Sequence, residues 1–236
     1  MREPKLRIGT IIDVSLSDVP GLPVTMIFTG GCNFNCPYCH NSSLIPLDSG
    51  QEMSVSSIVQ RVKDFMSDGF CISGGEPTIH PELPALLAAL REETGKHINL
   101  NTQGSVPSVL RESLPFLDSV WFDIKASPSR YPYVIGLNRN PWPQVMESIR
   151  VVMDSDVQFW PRTTYVPGLM APADIEAILT VLSDVGYSGE YVIQRYAPLN
   201  GVRRDQAAGL RVPSAEEIRE VVSRPPAGIR IRLDWR

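Results

Sequence analysis

Cys32-Asn33-Phe34-Asn35-Cys36-Pro37-Tyr38-Cys39 holds three of the chain's four cysteines, spaced C-x3-C-x2-C. A single tetrahedral metal ion normally takes four protein ligands. Three thiolates can instead hold three irons of a [4Fe–4S] cluster and leave the fourth iron open. Such an iron can bind a substrate or cofactor directly. The competing assignment is a zinc site completed by His40 or Cys71. Structural zinc motifs usually come as two separated ligand pairs. No second pair exists here, and His40 adjoins Cys39, where chelation of the same ion is awkward. Cys71 lies in an apolar stretch and reads as a buried thiol, a small hydrophobe.

Outward from the cysteines, the chain alternates strand-like and helix-like segments. Val24 to Thr29 is a short continuous apolar run, which suits a buried parallel strand. Before it, Ile8 to Leu16 is apolar and β-branched, and Asp18-Val19-Pro20-Gly21 reads as a turn. Ser54 to Met66 sets Val55, Ile58, Val59, Val62, Phe65 and Met66 on one helical face, with Ser54 as the cap. Further strands are expected at 70–73, 97–101, 119–124, 157–166 and 191–196. Helices are expected at 81–93, 106–116, 142–153, 173–185 and 214–222, and 229–235 alternates like an edge strand. Six βα units in series imply a parallel sheet with right-handed crossovers. Six are too few to close an eight-stranded barrel. The expected fold is α/β: a partial (β/α)6 barrel of parallel strands, with a short N-terminal strand and a C-terminal helix and strand extension. Without linker, repeat or low-complexity tract, residues 1–236 read as one domain, with a core at about 22–197 and an extension at about 198–236.

In such sheets ligands bind beyond the C-terminal ends of the strands. The distinctive motifs fall there: the cysteine loop, Gly74-Gly75-Glu76-Pro77, Asn101-Thr102-Gln103-Gly104, Asp123-Ile124-Lys125, Arg162 to Gly168, and Gln194-Arg195-Tyr196. A glycine pair lets a ligand approach the backbone closely, and a carboxylate with free carbonyls suits a cationic amino group. Taken singly, Asn101, Thr102, Asp123, Lys125 and Arg162 read as well as polar strand ends facing solvent.

Together, the C-x3-C-x2-C loop with an aromatic before its last cysteine and Ser73-Gly74-Gly75-Glu76-Pro77-Thr78 one βα unit later resemble the radical S-adenosylmethionine (SAM) enzymes. Cys39-His40-Asn41, N-T-Q-G, D-I-K and R-x-x-Y-V-P-G are similar to the glycyl-radical-enzyme activating enzymes, most of all those of anaerobic ribonucleoside-triphosphate reductase. The resemblance runs from Asp13 to about Tyr196. It implies a [4Fe–4S] cluster on Cys32, Cys36 and Cys39 and reductive cleavage of SAM to a 5′-deoxyadenosyl radical. It implies SAM contacts from Tyr38 beside the adenine, from Gly74, Gly75 and Glu76 at the methionine end, and from Asn101, Thr102, Asp123, Lys125 and Arg162. It also implies a large glycyl radical enzyme as partner, anaerobic ribonucleotide reductase, and flavodoxin or ferredoxin as electron donor. Ser42-Ser43 stands where the family usually has proline, and Gln194-Arg195 where some activases carry histidine. The alternatives are a small-molecule enzyme such as a 7-carboxy-7-deazaguanine synthase, and a non-catalytic zinc or interaction module.

Composition sets the remaining bounds. A net charge of −4 gives no reason to expect nucleic-acid binding. Arg203, Arg204, Arg211, Arg219, Arg224, Arg230, Arg232 and Arg236 read as a solvated surface. His80 and His97 read as structural or solvated. Trp121, Trp142, Trp160 and Trp235 read as core or surface aromatics on separate elements. No apolar run is long enough to span a membrane, and the N-terminus lacks a signal-peptide core. Thiolate ligands need a reducing compartment, so the cytoplasm is expected.

Overall fold

The apolar segment before the cysteines folds as a hairpin. Strand β1 (Lys5–Val19) runs antiparallel to β2 (Leu22–Thr29), closing at Val19 and Leu22. Gly21 turns the chain with φ +71°, a conformation that favours glycine. The computed structural model describes residues 3–198, 201–223 and 225–234. Arg224, Trp235 and Arg236, named above, lie outside them. At 15 residues β1 is not the short strand expected from Ile8 to Leu16. It also pairs with a strand the sequence did not announce, β3 (Gln51–Ser54).

The βα repeat follows. Ser54 caps α1 (Val55–Val62), its hydroxyl accepting from the Ser57 N–H, and Val55, Ile58, Val59 and Val62 are buried at helical spacing. The helix stops four residues earlier than expected, so Met66 is 94% exposed rather than on the apolar face. Next come β4 (Gly69–Gly74), α2 (Leu83–Thr94), β5 (His97–Thr102), α3 (Pro107–Ser113) and β6 (Ser119–Asp123). A single turn, α4 (Tyr131–Val134), precedes α5 (Trp142–Met153), β7 (Gln158–Tyr165), α6 (Pro172–Asp184) and β8 (Gly189–Arg195). Helix α7 (Ala215–Val222) and β9 (Ile229–Asp234) end the described chain.

The nine strands among the described residues form one sheet in the order β3-β1-β2-β4-β5-β6-β7-β8-β9. From β2 to β9 every pairing is parallel, and β1 is antiparallel to both neighbours. The sheet is open, as six βα units require, and β9 adds a further parallel strand beyond β8. Ile27, Ile72, Leu100 and Phe122 bury completely in the core shared with Ile58, Leu86, Leu110 and Ile149 of the helices. Each such side chain contributes roughly 1.5–3 kcal/mol of transfer free energy. Trp121 and Trp160 are register partners on β6 and β7 with ring centroids 5.0 Å apart, so they are a pair rather than scattered aromatics. No helix among the described residues is long and apolar enough to cross a membrane.

Candidate active site

Because β2 and β4 to β8 run in the same direction, their C-terminal ends share one rim. Every residue expected at the site lines a single cavity there of about 210 Å3. The cysteine loop forms one wall. Phe34, His40, Ser73, Gln103, Thr164 and Gln194 also line the cavity. A wider cleft of about 770 Å3 lies at the opposite end of the strands, bounded by His97, Asp118 and Gln158, away from these motifs.

Cys32, Cys36 and Cys39 come to the cavity on a loop fixed at several points. Cys32 N–H donates to the Ile45 carbonyl (3.1 Å), Asn35 N–H to Ile135 (3.0 Å) and Cys39 N–H to Cys36 (3.2 Å). Burial pushes the Cys32 thiol up to about 12 and Cys36 to about 11, the latter against the nearby Lys125 charge. Burial raises Cys39 too, opposed by an Asn41 backbone bond and the charges of Lys125 and Arg203. Metal coordination at these thiols therefore displaces protons. The Phe34 N–H points at Cys32 Sγ (3.4 Å), the kind of donor that tunes a sulfur ligand. Among the described residues, no group of three or more His, Cys, Asp or Glu side chains could hold a metal ion directly. His40 is committed elsewhere, with Nε2 2.8 Å from the Ala197 carbonyl and its ring stacked on Tyr196. Cys71 is fully buried, in contact with Asn99 Nδ2 (3.2 Å), and does not line the cavity. An all-thiol donor set on one cavity wall is the soft environment that suits an iron–sulfur cluster. The cysteine loop also carries a buried Tyr38 hydroxyl without a hydrogen-bond partner among the described residues.

The turn after β4 is packed against the cysteine loop. Gly75 N–H donates to Thr29 O (2.9 Å) and Glu76 N–H to Gly31 O (2.8 Å). A Cβ on Gly75 would lie 2.0 Å from the Gly31 carbonyl oxygen. Glycine is thus needed first for loop-to-loop contact, not only for a ligand. Gly74 has φ +130° and leaves no room beside the Thr29 backbone. Glu76, 1% exposed, accepts from Thr78 N–H (3.0 Å) and hydroxyl (2.6 Å), Thr102 hydroxyl (2.6 Å) and Gln103 N–H (2.9 Å). Burial raises its pKa against these donors. The carboxylate that the sequence offered to an amino group is largely occupied in joining β4 to β5. Asn101 accepts from Asn99 Nδ2 at 2.8 Å.

On β6 and β7, Asp123 and Arg162 are register partners. Arg162 Nε donates to Asp123 Oδ1 (2.5 Å), and Lys125 Nζ lies 3.1 Å from Oδ2. Burial disfavours the Asp123 anion, but Arg162 and Lys125 outweigh it and hold the carboxyl down to about 2. Two cations against one carboxylate leave surplus positive charge at the ends of β6 and β7. Arg162 also lies over the Trp121 ring, 5.2 Å from its centroid.

Two site groups escaped the sequence. Gln103 was quoted in N-T-Q-G without a role. Its amide donates to Asn33 Oδ1 and Ser105 Oγ (both 2.8 Å), tying the cysteine loop to β5. Arg203, grouped with solvated arginines, instead reaches the cysteine loop from 168 residues away. Its neighbours Arg204, Arg219 and Arg230 are exposed, and Arg211 and Arg232 pair with Glu217 and Glu190. His80 and His97 are structural, at 2.8 Å from Gly30 O and 2.9 Å from Ser119 Oγ.

A thiol loop after the first parallel strand of an open α/β sheet, with polar groups from the next strand ends around it, defines a cofactor-dependent enzyme of the TIM-like barrel type. Residues 26–181 match the radical SAM superfamily, and the chain belongs to that superfamily. It is a radical SAM enzyme, and the family uses a [4Fe–4S] cluster and SAM. It is 30% identical over 223 residues to a Methanocaldococcus jannaschii protein provisionally described as a glycyl-radical enzyme activating enzyme, covering 92% of this chain and 90% of that one. It is 35% identical over 86 residues to the 7-carboxy-7-deazaguanine synthase of Aquifex aeolicus, covering 36% of this chain and 38% of the relative. In fold it is similar to QueE from Escherichia coli, with TM-score 0.57 at 16% identity over 98% of this chain and 95% of that one.

Proposed function

We propose that this chain is a glycyl-radical-enzyme activating enzyme acting on anaerobic ribonucleotide reductase, with flavodoxin or ferredoxin as electron donor. The observation that carries the reading is the convergence of three thiols and five strand ends on one cavity. Similarity at 30% identity over 92% of the chain to the M. jannaschii relative supports the activase type, whereas a 7-carboxy-7-deazaguanine synthase aligns at 26% over 75% of it.

In this reading Cys32, Cys36 and Cys39 hold the cluster. When bound, the cluster and SAM supply an electron and a carbon-centred radical able to remove a hydrogen atom. The chain's own part is binding, orientation and exclusion of water. Lys125 and Arg162 leave a positive surplus that attracts the carboxylate end of SAM. Asp123, held ionised, accepts from hydroxyls. Asn101, Thr102, Gly74, Gly75 and Glu76 shape the methionine end, Glu76 chiefly by fixing the strand ends. Tyr38 packs beside the adenine. A glycine-bearing loop is recognised largely through its backbone, and the open sheet leaves a lateral face for it.

The test mixes reduced protein and SAM with a candidate anaerobic reductase from the same genome. A glycyl radical by electron paramagnetic resonance supports the reading. Multiple turnover on a pterin-like small molecule, without a protein radical, assigns the chain to the synthases instead.

A further inference from the structure

Beyond β8, Ala197 and Gly201 to Arg203 lie against the cysteine loop. His40 Nε2 lies 2.8 Å from Ala197 O, and Ser42 Oγ donates to Gly201 O at 2.5 Å. Gly201 has φ +105°, and a Cβ there would fall 2.0 Å from His40 O. Arg203 then donates Nη1 to Asn35 Oδ1 (2.7 Å) and Nη2 to the carbonyls of Asn35 (3.3 Å) and Cys36 (3.2 Å). Its Nε is buried without a hydrogen-bond partner among the described residues. A buried unsatisfied donor costs about 1–3 kcal/mol, and such a group in a native fold calls for a reason.

Resting on the cluster assignment above, we infer that Arg203 is a positioning residue for the metal centre: its forked guanidinium fixes the Asn35 and Cys36 peptides and sets one permanent positive charge beside the cluster. The fork geometry explains the first part. Peptide planarity means that turning the Asn35 carbonyl toward Arg203 turns the Cys36 N–H away from it, and Pro37 leaves the next peptide without an N–H. Arg203 therefore holds this stretch through the Asn35 and Cys36 carbonyls. The charge explains the second part. A guanidinium stays protonated at any working pH, and a fixed cation nearby favours the more negative, reduced state of a cluster. The C-terminal extension is then part of the redox site.

The experiment compares wild type, Arg203→Lys and Arg203→Met after anaerobic reconstitution, reading iron per chain and the cluster's midpoint potential. Lysine keeps the charge and loses the fork, while methionine loses both. The inference expects Arg203→Met to be about tenfold harder to reduce at a fixed poise, ~59 mV for one electron, with Arg203→Lys close to wild type in potential. Tryptic cleavage of the apo protein at Arg204 and Arg211 should accelerate in both variants, which reports the lost fork independently of any cluster. If both variants lose iron, the positioning role of the fork stands; if only Arg203→Met loses it, the charge alone holds the loop and the fork role is overturned. Equal potentials and equal iron in all three proteins overturn the inference. A wild type that takes up no cluster overturns the functional assignment itself, and this inference with it.

Discussion

Thr102 donates its hydroxyl hydrogen to Glu76 Oε1 at 2.6 Å, joining the end of β5 to the turn after β4. The same oxygen of Thr102 accepts from Gly104 N–H at 3.0 Å. One hydroxyl thus serves a buried carboxylate and a buried amide at once. Glu76 has its remaining donors on either side, from Thr78 and Gln103.

Thr102→Val should therefore destabilise the protein by about 1–3 kcal/mol, because both partners stay buried and lose their bond. Urea denaturation at pH 7 measures this. A midpoint unchanged from wild type would show that water replaces the hydroxyl.

Gly75→Val should disturb the cysteine loop as well as SAM binding, since the new side chain would meet the Gly31 carbonyl. Iron per chain after reconstitution is expected to fall together with SAM affinity. Full iron loading with SAM binding lost would place the glycine's role at the ligand alone.

Asp123→Asn leaves Arg162 and Lys125 adjacent without their anion. Removing one member of a buried ionic group costs roughly 3–5 kcal/mol. The sign with pH follows from the lowered carboxyl, near 3.8 ordinarily and about 2 here. Its stabilisation, ~2 kcal/mol by linkage, is present above pH 4 and lost as pH falls through 2. The gap between wild type and Asp123→Asn in denaturation should narrow over that window. A gap constant from pH 7 to pH 2 contradicts the ionised triad.

Cys36→Ala should abolish most iron binding, and Cys71→Ala should leave it intact, because Cys71 faces the second small core with Val24 and Met26. Iron and sulfide assays on both variants decide this. Iron loss in Cys71→Ala beyond its loss of folded protein would bring the fourth cysteine back as a ligand.

The parts of this site legible in sequence were those carried by local spacing. The cysteine loop and the strand-end motifs lie within a few residues of a strong apolar strand, so parallel order places them on one rim. What escaped lay in long-range contacts. Arg203 carries no periodic signal and meets Asn35 across 168 residues of sequence. β3 is four residues, mostly polar and at the sheet edge, so alternation could not reveal it. Met66 fitted the helical period, but the helix had ended at Val62. Gly75 read as a ligand cradle, because a sequence does not show that Gly31 already fills the space.

The clasp between Arg203 and Asn35 also sets a timetable. A ribosome adding about 5–20 residues per second needs roughly 10–30 s to travel from one to the other. Through that interval the three thiols already exist, on a loop whose last fastening has not been made. The loop gains this fastening only when Arg203 arrives, so it is completed after strands β2 to β8 have been made and not as the loop itself is made.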